Sequence, residues 1–343
     1  MKRQRLWSGT TTVSSPKRAS LRAVDARTHV LDAVAVLERG GLVAFPTETV
    51  YGLGADAADA DAIARIFSVK RRPADHPLIV HVGGTEDLGR FAETVPASAL
   101  RLTEALWPGP LTVVVRRADH VPAVAAGGRP TLALRSPAHP LAQALLEAFG
   151  RGIAAPSANR FGRVSPTTAA DVRADLGEDV DLVLDGGPCR VGVESTIVDC
   201  TGDEVVVLRP GGVPVEVLEG VLGEPVARQA GPGAPAAPGT HASHYKPRAQ
   251  VVLAVTVDDA LSRAAAAGGR VGVLLPTATE VPEGVSLLVT DEDPEGYARV
   301  LYARLRRADE LGLALLVAVP PAEHGLGAAV VDRLRRASST TAG

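Results

Sequence analysis

The sequence predicts a two-domain α/β protein, with a larger first domain and a smaller second one built on a parallel sheet. Short apolar runs bounded by Gly and Pro alternate with segments of helical spacing along most of the 343 residues. A Gly-, Pro- and Ala-dominated stretch at 223–240 lacks any core-forming period and divides the chain. A length of 343 residues favours two domains of ordinary size.

The elements follow in order. Val30 to Leu37 has helical spacing and stops at Gly40-Gly41. Leu42 to Phe45 reads as a buried strand, followed by the polar turn Pro46 to Gly54 and a helix from Asp59 to Lys70. Leu78 to Val82 is a strand and Ala97 to Leu106 a helix, broken by Trp107-Pro108-Gly109-Pro110. Leu111 to Val115 and Thr131 to Leu134 read as strands, and Pro140 to Phe149 as a helix with Pro near its start. Gly152 to Ala155 is a short strand, and Thr168 to Leu176 a helix entered through Ser165-Pro166-Thr167. Leu182 to Leu184, Thr196 to Val198 and Val205 to Leu208 complete the strands of the first domain. Beyond the divide, Val251 to Val255, Val271 to Leu275 and Leu313 to Val319 read as buried strands. Ala260 to Ala266, Tyr297 to Leu305 and Leu326 to Leu334 read as helices, the alternation of a parallel sheet. The boundaries expected are a basic tail at 1–24, a catalytic domain at 25–222, a linker at 223–248 and a second domain at 249–338.

Composition narrows the chemistry. Hydrophobic residues make up 46% and aromatic residues 3%, so the core is aliphatic. The formal charge of −3 gives no global basic field for nucleic acid. Cys189 and Cys200 form no CxxC pair, which favours a reducing, cytoplasmic setting and argues against a thiolate metal site, while spacing leaves a disulfide between them open. No apolar run reaches membrane-spanning length. Residues 1–24 carry six basic residues and no acid, and lack the apolar middle of a secretory signal, so they read as a disordered tail or as a weak RNA contact. Lysine occurs four times, at 2, 17, 70 and 246, and one of these sits inside the basic run at 70–72.

Four clusters could carry chemistry. The opening turn holds Thr47, Glu48, Thr49 and Tyr51 at the end of a strand, where α/β sheets bind ligands. Lys70-Arg71-Arg72-Pro73, with His76 and His81, offers a point charge and forked guanidiniums for a polyphosphate, beyond what a helix dipole requires. Pro156-Ser157-Ala158-Asn159 and Ser165 supply hydroxyls and turn N–H groups, although Ser165 also suits helix capping. Glu194-Ser195-Thr196, Arg209 and Arg135 lie at further strand ends. His76 and His81 lack a third ligand, so no metal site is expected. Neither GxxxxGK[ST], GxGxxG nor Gly-x-Ser-x-Gly occurs.

Together these segments resemble the YrdC/Sua5 family. The opening turn, Lys70-x-Arg72-Pro73 with His76 to His81, Pro108 to Thr112, Pro156 to Asn159, Glu194 to Thr196 and Leu208 to Gly211 carry the resemblance over roughly residues 25–220. Ala237 to Pro247 resembles the linker of the longer, two-domain Sua5 form. The resemblance implies a YrdC-like twisted α/β sheet followed by a Rossmann-like Sua5 domain. It implies an L-threonylcarbamoyladenylate synthase, which joins L-threonine, bicarbonate or CO2, and ATP, and releases pyrophosphate. The product would pass to a separate transferase for t6A at position 37 of tRNA. Mg2+ would accompany ATP, with no bound prosthetic group.

Carried onto this sequence, the resemblance assigns threonine to Thr49, His81, Arg135 and Ser195. It assigns ATP to Lys70, Arg72, His76, Thr131, Ala155, Ser157, Ser165, Arg209 and Tyr245, with Lys70 and Arg72 as the catalytic charges and Ala155 contributing backbone. His76 stands where many relatives have Asn. Arg71 stands where Gly is frequent, and is expected to face solvent. If Tyr245 contacts ATP, residues 238–247 fold over the cleft as a lid. The competing reading is a non-catalytic RNA-binding module using the same basic residues, disfavoured by sparse aromatics and negative net charge. A carbamoyltransferase module and a ligand-sensing regulator are further alternatives.

Overall fold

The computed structural model describes residues 28–228 and 245–338. Two sheets organise it. The larger has ten strands: β1 (Val43–Phe45), β2 (Gly52–Asp56), β3 (Ile79–His81), β4 (Leu111–Arg116), β5 (Thr131–Arg135), β6 (Ile153–Ala155), β7 (Leu182–Val183), β8 (Thr196–Asp199), β9 (Val206–Arg209) and β10 (Ala227–Arg228). Their order across the sheet is β10-β9-β8-β4-β5-β3-β6-β2-β1-β7, with parallel and antiparallel pairs mixed. Seven α-helices accompany them: α1 (residues 28–38), α2 (Ala60–Lys70), α3 (Leu88–Phe91), α4 (Ala97–Leu106), α5 (Pro140–Phe149), α6 (Ala169–Leu176) and α7 (Val215–Leu222). Local signals set the helix ends. Asp59 caps α2 by accepting from the N–H groups of Asp61 and Ala62, and Thr168 and Asp171 form a capping box on α6.

The smaller sheet is β11 (Gln250–Leu253), β12 (Val271–Leu275), β13 (Ser286–Val289) and β14 (Leu315–Ala318), ordered β11-β14-β12-β13 and parallel throughout, as the alternation predicts. Helices α8 (Val257–Ala266), α9 (Pro294–Glu310) and α10 (Gly327–Ser338) accompany it. The two parts share one apolar cluster: Val50, Val164 and Val193 pack with Tyr245, Leu301, Tyr302, Leu305, Val330 and Leu334.

Three differences from the sequence reading have physical causes. The opening turn leads into β2, antiparallel to β1, rather than directly into a helix. Gly54 in β2 has no space for a side chain, since a Cβ there would lie 2.6 Å from Ile153 Cγ2 and 2.8 Å from Phe45 Cε1, so its two glycines serve close sheet packing as well as turning. Helix α7 and strand β13 carry periodicities too short to stand out. Ala227–Arg228, inside the stretch read as linker, pairs with β9 and extends the larger sheet. The rest of that stretch at 229–244 and the basic segment at 1–27 lie outside the described residues, and with them the tail and most of the expected lid. Among the described residues no helix is long and apolar enough to cross a membrane.

Candidate active site

Strand register assembles the site. Parallel pairing of β3 with β5 sets His81 beside Arg135. Antiparallel pairing of β8 with β9 sets Arg209 opposite Ile197, close enough for its Nε and Nη2 to donate to the Ser195 carbonyl at 3.2 and 2.7 Å. Parallel β4 and β8 place Thr112 so that its Oγ1 and Ser195 Oγ share a hydrogen bond of 2.7 Å. His81, Arg135, Ser195 and Arg209 thus gather toward one end of the sheet. β6 runs antiparallel to β3 and pairs Ala155 with Ile79, so Ala155 and Ser157 lie toward the other.

Between these ends lies a cleft of about 530 Å³, partly open to solvent. Arg72, His81, Arg135, Ala155, Ser157, Ser195, Arg209 and Tyr245 line it. Thr47, Val50, Gly52, Ile79, Pro156 and Glu194 complete the wall. Three guanidiniums therefore face a cleft whose lining holds a single carboxylate, in a chain of net charge −3. Fields in such low-dielectric concavities are focused, so the site attracts anions although the protein as a whole does not.

The other expected residues do not line the cleft. Thr49 is buried and its Oγ1 shares a 2.8 Å hydrogen bond with Thr47 Oγ1, which itself donates to the Val50 carbonyl at 2.6 Å. Ser165 donates to Glu194 Oε1 at 2.7 Å. His76 packs its ring on Phe161, with centroids 5.3 Å apart. Thr131, at the opposite end of β5 from Arg135, is half-buried and away from the lining. Lys70 is wholly buried, and its Nζ donates to the carbonyls of Ser157, at 2.6 Å, and Asn159. Burial and the neighbouring Arg72 charge pull its ammonium well below the usual lysine range. The basic run is therefore not a surface patch. Lys70 and Arg72 are buried, while Arg71, in the left-handed region at φ 54° as the cap of α2, points to solvent as expected.

Each lining charge is held by a specific partner. Arg135 donates through Nη2 to Glu48 Oε1 at 2.7 Å and through Nε to the Gly109 carbonyl at 3.3 Å, and Glu48 Oε2 accepts from the Ala138 N–H at 2.9 Å. Arg72 Nη2 donates to the Pro77 carbonyl at 3.0 Å, and burial brings its pKa down to about 10. Burial, with the Arg135 charge, lowers His81 to about 3, so it is a neutral imidazole near pH 7. Arg72 Nε and His81 Nδ1 are buried with no hydrogen-bond partner in the structure. A buried polar atom without a partner costs roughly 1–3 kcal/mol, and both orphans belong to side chains on the cleft wall.

Glu194 and Arg333 carry no local sequence signal for the part they play; Glu194 stands in Glu194-Ser195-Thr196 with nothing to distinguish it from its neighbours. Arg333 sits in the run Asp332-Arg333-Leu334-Arg335-Arg336, in the segment read as a helix from Leu326 to Leu334 and its continuation. In the fold Arg333 is fully buried, and its Nε donates to Glu194 Oε2 at 2.8 Å. Burial alone would raise the Glu194 carboxyl, but the Arg333 and Arg209 charges, with hydrogen bonds from Ser165 and Arg333, bring it down to about 2.

Comparison with known proteins agrees across the chain. The family profile Sua5/YciO/YrdC, described as "Telomere recombination", matches residues 35–211. The profile described as "Threonylcarbamoyl-AMP synthase, C-terminal domain" matches residues 213–339. The threonylcarbamoyl-AMP synthase of Pyrococcus abyssi is 42% identical over 318 residues, covering 89% of this chain and 93% of that protein. The threonylcarbamoyl-AMP synthase of Bacillus subtilis is 37% identical, covering 90% and 93%. The crystal structure of P. abyssi Sua5 complexed with L-threonine superposes with a TM-score of 0.86 at 40% identity, covering 91% of this chain and 94% of that one.

Proposed function

The chain belongs to the Sua5/YciO/YrdC family, and we propose on that basis that it is an L-threonylcarbamoyladenylate synthase. It joins L-threonine, bicarbonate or CO2, and ATP into threonylcarbamoyl-AMP and pyrophosphate, the activated group used to make t6A at position 37 of tRNA. A separate transferase carries the group to the tRNA. The observation that carries the reading is the convergence of Arg72, Arg135 and Arg209 with Ser157, Ser195 and neutral His81 on one cleft.

The chemistry explains why such a wall is needed. The threonine amine adds to CO2 to give a carbamate. A carbamate oxygen then attacks the α-phosphorus of ATP and pyrophosphate leaves. Both reactants are anions, so the site must hold negative charges together and stabilise the crowded phosphorus. No covalent nucleophile is required.

The assignments carry the family resemblance onto the cleft. Thr49, His81, Arg135 and Ser195 serve threonine, Thr49 acting through Thr47. Arg135, oriented by Glu48, takes the carboxylate. Arg72, Ala155, Ser157, Arg209 and Tyr245 serve ATP, with His76, Thr131 and Ser165 assigned to the same substrate. Lys70 contributes by holding the Ser157–Asn159 loop from beneath, since its Nζ is committed to two carbonyls of that loop. Mg2+ enters as part of the MgATP substrate, bound chiefly by phosphate and water. Among the described residues no group of three His, Cys, Asp or Glu side chains is placed to hold an ion. Cytoplasmic localisation accords with this chemistry.

The test is pyrophosphate release from MgATP and bicarbonate, with and without L-threonine, and with serine as the side-chain control. Release that requires both threonine and bicarbonate is the expected result. Release that ignores threonine would overturn the reading.

A further inference from the structure

We propose that Arg333, contributed by the C-terminal domain, is a positioning residue for the cleft, holding the 194–195 wall, the end of β9 and Tyr245 in one arrangement. This rests on the synthase reading of the site and gives the C-terminal domain a part in it.

Among the described residues every buried Lys, Arg, Asp or Glu side chain lies between residues 48 and 209, Arg333 alone excepted. The C-terminal domain thus buries a single guanidinium, and sends it out of its own core. Its Nε donates to Glu194 Oε2 at 2.8 Å, and its Nη2 to the Pro210 carbonyl at 3.0 Å, one residue beyond Arg209. Its Cζ lies 4.9 Å from the centroid of the Tyr245 ring, and its Nη1 donates to Asp332. One planar fork therefore touches three segments that line the cleft, a task for which a lysine ammonium has neither the shape nor the number of directed donors.

Two other elements close the arrangement. From α9, Tyr302 donates its hydroxyl to Glu194 Oε2 at 2.7 Å and stacks on Tyr245, with ring centroids 5.7 Å apart. From the first domain, Ser165 holds Glu194 Oε1, and the Gly212 N–H donates to the Glu194 carbonyl at 2.9 Å. The contact is built into the backbone as well. Gly192 has φ 82°, and a Cβ there would lie 2.4 Å from the Ala298 carbonyl oxygen of α9. Gly211 likewise abuts the Ser195 carbonyl carbon, 2.3 Å from where its Cβ would be.

The experiment uses the full chain and the pyrophosphate assay. Arg333→Met should lower kcat/KM for ATP by roughly tenfold, as expected of groups in one buried network. It should also move the acid limb of the pH profile toward neutrality. Glu194 would then keep Arg209 as its facing cation, with Tyr302, Tyr245 and Asp332 around it, and would take up a proton more readily. Arg333→Lys should restore little, because the fork is lost. Arg333→Met combined with Glu194→Gln should cost less than the product of the two single changes, since no unpaired buried carboxylate remains. An unchanged kcat/KM and pH profile in Arg333→Met, or strict multiplicativity in the double variant, would overturn the proposal. If Arg333→Met does not fold, Tyr302→Phe decides. It removes one hydroxyl from Glu194, so a smaller shift of the acid limb supports the proposal and an unmoved limb refutes it. Threonine- and bicarbonate-dependent release by the unaltered chain tests the synthase reading separately. Should that fail, calorimetric titration of Arg333→Met with a non-hydrolysable MgATP analogue still tests the positioning, through a weakened or an unaltered affinity.

Discussion

The two sheets treat buried charge in opposite ways. In the larger, mixed sheet two strands end in Arg135 and Arg209, both buried, and Glu48 and Glu194 are buried beside them. The smaller sheet is parallel throughout, and its strands bury apolar side chains. Apolar clusters pack against the smaller sheet, and an interior of that kind is best left without unpaired polar groups. The mixed sheet leaves one face for a cleft, and the buried charges there carry a desolvation cost that paired partners and ligands offset. The contrast teaches where function sits: a domain that keeps costly charges buried is using them. The second domain's single buried cation obeys the same rule, because its partner Glu194 lies in the first.

The contrast is sharpest at Arg135. Removing one partner of a buried pair typically costs about 3–5 kcal/mol. Arg135→Ala should therefore destabilise the protein by about that much, strand Glu48, and raise the threonine KM. Denaturant unfolding and steady-state kinetics check both effects. A shift under about 1 kcal/mol would mean that the pair behaves like a surface ion pair and that the contrast is overstated.

The junction between the two regions is the next place to press. Gly192→Ala puts a Cβ against the Ala298 carbonyl of α9 and strains a positive φ, with an expected loss of about 1–3 kcal/mol. Thermal unfolding should show it, and a neutral result would indicate that α9 yields without cost.

The mildest effect at neutral pH comes from titration. In the unfolded chain the His81 imidazole protonates near 6.5, and in the folded one only near 3. The unfolded state binds the extra proton across that window, so stability falls as pH drops from 6.5 toward 3. Glu194 acts in the same direction between 4.5 and about 2, its depressed carboxyl giving stability that acid removes. His81→Gln should flatten the fall in the upper window while leaving neutral-pH stability little changed. An unaltered pH slope would show that His81 does not titrate with folding.

Much of this protein follows from the chain alone. Ala97–Leu106, Pro140–Phe149 and Val271–Leu275 are found at their expected limits because periodicity, Pro and Gly are local signals. The motif residues Arg72, Ser157, Ser195 and Arg209 could be singled out for the same reason, each standing in a polar turn or at a strand end. Tertiary structure decided the rest. Register put His81 beside Arg135 and opened the cleft between strands that are distant in sequence. Packing buried Lys70 and set its Nζ on the Ser157 and Asn159 carbonyls. Above all, it buried Arg333 against Glu194 across 139 residues of chain. An arginine in a helix carries no local mark of its partner, since burial and pairing are properties of the surface it meets.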